Sequence, residues 1–337
     1  MKSDAFLFLR NPLFLLCLVV AAAMPFWLPS YYLGIATLAL VYIGLALAWN
    51  IVAGIAGQMS LGHSVFVGIG ALLSSALLLK LGINLWLGML IAAAVSAALA
   101  AFIAWLDFRF RLSHLSFALI TLAFAEMGQL AALGIEFLGG ASGLYLPPDK
   151  GNILQFEFGG SRGNFYLLFV IAGLCLLANL LILNSRLGYF LRAMHDNENA
   201  AQAIGVNLLR NKILAMMVSA VLTSLVGTAW ARYSGFVDPY QMASPRVSVE
   251  VILFATIGGL GTVLGPLVGA GFLVAFGEIV RGKVGAVLPG LHFFIDGILI
   301  VLVILLMPRG VVPKLAELFG RRAPKLDVAN LSTKTAA

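Results

Sequence analysis

Apolar runs of about twenty residues, the length a helix needs to cross a bilayer, recur along almost the whole chain. Hydrocarbon offers no water to backbone N–H and C=O groups, so each run has to satisfy its own hydrogen bonds as a helix. Charge is too scarce for any other reading. The chain is 61% hydrophobic and only 10% charged, whereas a soluble domain carries roughly 25% charged residues. The expected class is an all-α, polytopic helical membrane protein, with room in 337 residues for about eight to ten spans.

The runs predict spans at 12–29 and 31–53, then a third that opens in the glycine-rich GIAGQMSLGHSVFVGIGA and ends near Leu79. Further spans are predicted at 85–106, 114–138, 165–184, 213–231 and 288–307. DFRFR at 107–111 reads as a charged turn, and 139–164 as a longer polar connection containing Pro147 and Pro148. Residues 249–280 are apolar throughout, but ATIGGLGTVLGPLVGAG lies in the middle, and its glycines and Pro266 predict two short or broken helices. The first apolar run lacks a convincing small-residue cleavage site and many spans follow it, so it is read as a span rather than a removed signal peptide. One transmembrane domain is expected over 1–320, followed by a polar tail, 321–337, without fixed structure.

The lysines and arginines test the split at 249–280. If that region crosses twice and the N-terminus is cytoplasmic, 14 of the 21 basic residues fall inside. A single crossing leaves fewer than half inside. The positive-inside bias therefore predicts an even number of spans with both termini cytoplasmic. Trp27, Trp49, Trp86, Trp105 and Trp230 all fall near predicted span ends, where an indole can keep its ring dry and its N–H wet.

The same features exclude several functions. The net charge of +7 sits in loops and tail, as a topology signal rather than a nucleic-acid surface. No GxxxxGK[ST], HExxH, CxxC or GxSxG pattern occurs, so no nucleotide site, metal site or nucleophile is expected on this chain. Cys17 and Cys175 lie singly in apolar runs and form no disulfide framework.

A few polar residues inside the apolar runs stand out, because a charge in hydrocarbon is costly and faces protein or water. Glu126 is the deepest, and fits either a substrate path or a structural hydrogen bond. Glu250 and Glu278 lie near span boundaries. Asp296 lies well inside the last span, within reach of Arg246 or Arg281 as a partner. Gln58, Ser60 and His63 share the motif QMSLGH, where the histidine is either a structural residue or a proton relay. The glycine-rich segments 54–70 and 255–271, the latter with Gly258, Gly259 and Gly261, each predict a broken helix near the midplane whose free backbone groups could meet a substrate.

Residues 186–212, RLGYFLRAMHDNENAAQAIGVNLLRNK, form a long polar stretch between two spans. Asp196 or Asn197 can cap a helix with Glu198 in its first turn, Gly205 can end it, and Asn207 can cap the next. Ala200 and Ala201 keep one face small, and Arg192, Arg210 and Lys212 rim it. A plain connector could be much shorter. This stretch is read as a docking element for another protein.

The chain resembles the LivH/LivM permease family, the membrane-spanning subunits of bacterial ABC importers for branched-chain amino acids, in its LivM-type branch. The motifs are WNIVAGIAGQMSLGHSVFVGIGA (49–71), FALITLAFAEM (117–127), GGASGL (139–144), SRLGYFLRAMHDNENAAQAIGVNLLRNKILAM (185–216), EVILFATIGGLGTVLGPLVGAG (250–271) and PRGVV (308–312). The resemblance implies that Asn199, Ala200, Ala201 and Gly205 match a coupling helix that sits in a cleft of an ATPase subunit. The class pattern has an acid where Asn199 stands here, so no ion pair from that position carries over. It also implies a second homologous permease, two ABC ATPases holding ATP and Mg, and a periplasmic or lipoprotein substrate-binding protein. The chain itself would catalyse no covalent step and hold no cofactor in the inner membrane. Related permeases for urea, short amides or other amino acids, and an ion-coupled secondary transporter, are the alternatives.

Overall fold

The computed structural model describes residues 12–153 and 156–284, together with 297, 298, 301, 305, 310–312 and 314. The expected last span at 288–307 and the tail lie almost entirely outside the described residues, and so does Asp296. The molecule is helical as its apolar runs require. The helices α1 (Pro12–Trp27) and α2 (Ser30–Asn50) come first, and α2 runs on into a π-helical turn, Ile51–Ile55. After a break come α3 (Ser64–Gly68), a second π turn (Ile69–Leu73) and α4 (Ser74–Leu81). Then follow α5 (Leu85–Phe110), α6 (His114–Gly134) and α7 (Ser161–Leu183). Two short helices, α8 (Arg186–Asp196) and α9 (Glu198–Ala203), precede α10 (Leu208–Ser234). The chain continues through α11 (Pro239–Met242), α12 (Pro245–Gly258) and α13 (Leu264–Val284). Among the described residues, seven helical segments are long and apolar enough to cross a membrane. Region 249–280 splits at residues 259–263 as expected, but only α12 is short: α13 has 21 residues and is itself long enough to cross.

Two expectations need correction. Residues 107–110 are not a turn: α5 continues through Phe110 and ends when Arg111 takes a left-handed conformation, φ 47°. Trp49 and Trp230 do not point toward lipid or headgroups. Both are buried, and Trp49 donates its indole N–H to the Ser60 carbonyl at 2.8 Å. Trp27, Trp86 and Trp105 are exposed near helix ends, as an interfacial role requires.

At the centre α10 packs on α5, α2 and the second π turn. Glycine makes that last approach possible. A Cβ on Gly70 would lie 2.2 Å from the Ser224 carbonyl oxygen, and one on Gly227 2.5 Å from the Val67 oxygen. Without side chains at these points the backbones meet, and Thr228 Oγ1 donates to the Gly70 carbonyl at 2.8 Å. This is small-residue packing as membrane helices use it, where van der Waals contact replaces the hydrophobic drive.

At the end opposite α8 and α9, the described residues of the connection between α6 and α7 are tied down. A two-residue strand β1 (Leu144–Tyr145) pairs antiparallel with β2 (Phe236–Val237), with Leu144 opposite Val237. Beyond it, the Asp149 carboxylate accepts from the backbone N–H groups of Gly151, Phe158, Gly159 and Gly160 at 2.9–3.3 Å. Arg232 lies 3.7 Å away and donates to the Pro147 carbonyl. Partial burial alone would raise the Asp149 carboxyl, but the N–H groups of Gly159, Gly151 and Gly160 and the Arg232 guanidinium outweigh it and hold it below its ordinary value. A depressed acid stabilises the fold above its unfolded-state value of about 4, and that stabilisation is lost as the pH falls through the folded value. Exchange of the Gly151, Phe158, Gly159 and Gly160 amides is therefore expected to stay slow at neutral pH and to quicken on acidification. Asp149→Asn is expected to show the fast exchange already at neutral pH; unchanged protection in the variant would contradict the role given to the carboxylate.

Candidate functional site

Residues 184–207 fold as a cap across one end of the bundle. Ser185 accepts from the Gly188 N–H and starts α8, and Arg192 reaches back to the carbonyls of Gly188 and Leu183. The start of α9 is decided by Asn197, whose Oδ1 accepts from the Ala200 N–H at 3.0 Å; Asp196 ends the preceding helix instead. Gly205, at φ 90°, closes α9, and Asn207 Oδ1 accepts from the Arg210 N–H to open α10. Each device follows from the sequence, since these side chains satisfy amides that a helix start leaves orphaned.

The small face is divided. Ala201 is 2% exposed and packs with Met194, Val206 and Leu208 of its own chain, so it holds α9 down rather than facing outward. Asn199, Ala200, Gln202 and Ala203 are exposed, and Ile204 is 79% exposed. The outward surface is thus Asn199, Ala200 and Ala203 with an apolar tip at Ile204. Arg210 is also exposed.

Beneath this cap lies a charged chain that sequence reading did not assemble. Glu198 Oε1 stands 2.9 Å from Lys212 Nζ, and the same ammonium stands 2.9 Å from Asp107 Oδ2. Asp107 Oδ2 also accepts from Gln58 Nε2 at 3.0 Å. The Lys212 and Asp107 side chains are 6% and 3% exposed, while Glu198 is 34% exposed. Beside it, the His195 ring covers Gly57, where a Cβ would come within 2.5 Å of the imidazole. Gly57 also takes φ 73°, which glycine adopts without strain.

Gln58, Ser60 and His63 are all buried in the break between the first π turn and α3. His63 Nε2 lies 2.8 Å from Ser219 Oγ, and Nδ1 lies 3.1 Å from Ser60 Oγ. Ser219 donates its own hydrogen to the Ala48 carbonyl at 2.7 Å, so it accepts from His63, which fixes the proton on Nε2. His63 is therefore a structural tie between the break and α10. The first break is not at the midplane alone. Its Gln58 end shares the Asp107 carboxylate with Lys212, roughly 6 Å along α10, and its His63 end meets Ser219, roughly 16 Å along, at 1.5 Å per residue.

The two glycine-rich segments meet each other. Asn50 Oδ1 accepts from the Gly261 N–H at 3.1 Å, and Asn50 Nδ2 donates to the Thr262 carbonyl at 3.2 Å. Gly54 leaves the room: a Cβ there would lie 2.7 Å from the Gly261 nitrogen. Asn179 completes the arrangement, receiving Asn50 Nδ2 and donating to the Leu47 and Cys175 carbonyls. Gly258 abuts the Gly265 carbonyl, and Gly259 and Gly261 take φ 122° and 74° in the second break. Its freed backbone groups are met by Asn50 and Thr262.

Glu126 stands apart from both breaks. It is exposed on α6, about 18 Å along a helix of about 31 Å by the same rise. Elsewhere a cavity of about 660 Å³ opens between α2, α12 and α13. Its wall carries two ion pairs, Arg246–Glu250 at 2.8 Å and Arg281–Glu278 at 3.3 Å, and the Tyr42 hydroxyl donates to Glu250 at 2.6 Å. Asp107, Asn50 and Asn179 were missed as site residues, and Lys212, expected on the rim of the docking stretch, is instead buried between Glu198 and Asp107. The available signal was polar side chains inside or at the ends of apolar runs.

The family model for the permease component of branched-chain amino acid transport systems matches residues 31–304. The chain belongs to this family. It is 29% identical to the high-affinity branched-chain amino acid transport permease LivM of Salmonella typhimurium, over 90% of this chain and 75% of that one. A tyrosine transport system permease of Clostridioides difficile is 28% identical over 40% of this chain and 41% of its own. The LivH permease of Escherichia coli is 23% identical over 43% and 46%. No solved structure matches the chain. The chain is thus a multi-pass membrane permease.

Replacing Lys212 by methionine would leave Asp107 buried without its cation. Such half-pairs cost about 3–5 kcal/mol, whereas replacing both partners with apolar groups of similar volume is often near neutral. Thermal unfolding in detergent is expected to show a large loss for K212M and a much smaller one for D107L/K212M. Equal losses would mean that the pair is not a buried charge pair of this kind.

Proposed function

We propose that this chain is the membrane-spanning subunit of an ATP-driven importer that moves branched-chain amino acids across the bacterial inner membrane by alternating access. The observation that carries this reading is α9, a capped helix held down by Ala201 with its other face turned outward. A six-residue helix buried on one side, bearing small side chains and an exposed isoleucine on the other, is a knob for a groove. On the resemblance, that groove belongs to an ABC ATPase, and ATP and Mg sit there rather than on this chain. Both termini would then be cytoplasmic, on the side of α8 and α9. A periplasmic or lipoprotein binding protein would deliver substrate at the β1–β2 end.

Glu126 supports the second permease. A carboxylate exposed halfway along a spanning helix is costly against lipid, so the α6 face is assigned to a homologous permease and the aqueous path between the two. LivM and LivH, both similar to this chain, carry names of the same transport system, which favours leucine, isoleucine and valine as cargo. The tyrosine permease relative makes aromatic amino acids the comparison substrates.

Ile204→Glu tests docking. Because Ile204 is exposed, the chain's own stability should change by no more than about 0.5 kcal/mol. Co-purification of the ATPases and ATP-driven leucine uptake should both fall by about tenfold or more, the loss expected when a central apolar anchor becomes a charge. Normal values for both would defeat the assignment of α9 as the docking element.

A further inference from the structure

The chain Glu198–Lys212–Asp107–Gln58 joins parts that a simple connector has no reason to join. Glu198 belongs to the first turn of α9, Lys212 to the first turns of α10, and Asp107 to the last turn of α5. Gln58 belongs to the break between the π turns. One ammonium is held between two carboxylates, one facing the outer helix and one buried against the break. A second contact runs beside it, from the His195 ring to Gly57. The two routes end on neighbouring residues, Gln58 and Gly57.

From there the connection is short. Gln58 N–H bonds to the Val52 carbonyl of the first π turn at 3.0 Å. That turn contains Gly54, which packs against Gly261, and it follows directly on Asn50, which holds both Gly261 and Thr262. A π turn carries one residue more per turn than the helix around it, and such turns are frequent at functional sites. The buried charges resist being separated, because neither can be left unpaired away from water. A shift of α9 against α10 therefore pulls on Asp107 and Gln58 instead of being absorbed locally.

We propose that Lys212 is a transmission residue, with Glu198 on its outer side and Asp107–Gln58 on its inner side. It passes displacement of the docking helix to the first break and, through Asn50, to the second. This rests on α9 being the docking element. Lys212 touches no substrate; it is a positioning residue that acts through the breaks.

The test uses the full complex of permeases, ATPases and binding protein in proteoliposomes, reading leucine taken up per ATP hydrolysed. Glu198→Gln and Gln58→Met each leave the Lys212–Asp107 pair intact, so the fold should hold, and thermal unfolding checks that it does. Each variant is expected to lower the uptake-to-hydrolysis ratio about tenfold, in the range of ordinary coupling energies between sites. Because the two act in series through one lysine, the double variant should be no worse than the poorer single one. Lys212→Arg, which keeps the charge between the carboxylates, should restore most of the ratio lost in K212M. A normal ratio in both single variants overturns the proposal, and so do losses that multiply in the double variant. A lowered unfolding temperature with an unchanged ratio would make the chain a strut only, which also overturns it. Failure of docking shows elsewhere: Ile204→Glu would then leave ATPase co-purification intact, whereas failure of the relay leaves docking standing.

Discussion

One lysine ammonium, enclosed by protein and held between two carboxylates, fixes how the end of the bundle is assembled. Removing an ammonium from water costs several kcal/mol even after relaxation, and only well-placed opposite charges repay that. Lys212 therefore cannot be buried unless α5, α9 and α10 are all in register with Asp107 and Glu198 in place. Asp107 in turn accepts from Gln58, so the first break is set by the same charges. The cap formed by α8 and α9, the end of α5 and the entry to α3 are positioned as one unit.

The interior of the bundle solves the complementary problem. Two stretches of backbone leave the helical path, at 56–63 and 259–263, where water is not available to satisfy them. Side-chain amides and hydroxyls take its place. Asn50 serves Gly261 and Thr262, Thr121 Oγ1 accepts from the Leu61 N–H, and Ser248 Oγ accepts from the Ser64 N–H. Irregular backbone at membrane depth is tolerated where protein buries it, and glycine lets the two breaks lie against each other. The result is a pair of breaks packed against each other and tied by hydrogen bonds to the cap. In a permease, that is a place where a movement outside the bilayer can alter packing inside it.

Much of this was legible in the sequence because the governing signals are local. Apolar runs gave the spans, and the glycines with Pro266 gave the split between α12 and α13. Asn197, Gly205 and Asn207 announced the ends of α9 and the start of α10, since capping depends on neighbours within a turn. What was missed depends on distance along the chain. Asp107 and Lys212 are 105 residues apart, and each alone looks like a solvated charge at a span end. Ala201 was assigned to the outer face because six residues of helix are too few to establish a periodicity. Trp49 and Trp230 sit near span ends by residue count, yet α2 and α10 are the most enclosed of the spanning segments together with the third, so their indoles are core. The first break reaches from the Asp107 carboxylate it shares with Lys212 to Ser219 further along α10, a span that no single motif in the sequence announces.

The central claim is that movement of substrate is driven by ATP through partner subunits rather than by an ion gradient through this chain. The direct measurement is leucine uptake into proteoliposomes holding either the full complex or this chain with its partner permease only. ATP is supplied to the ATPase side, and a proton or sodium gradient is imposed separately. The account predicts uptake by the full complex with ATP, lost when hydrolysis is blocked, and none by the permeases under either gradient. Gradient-driven uptake by the permeases without ATPases would contradict it.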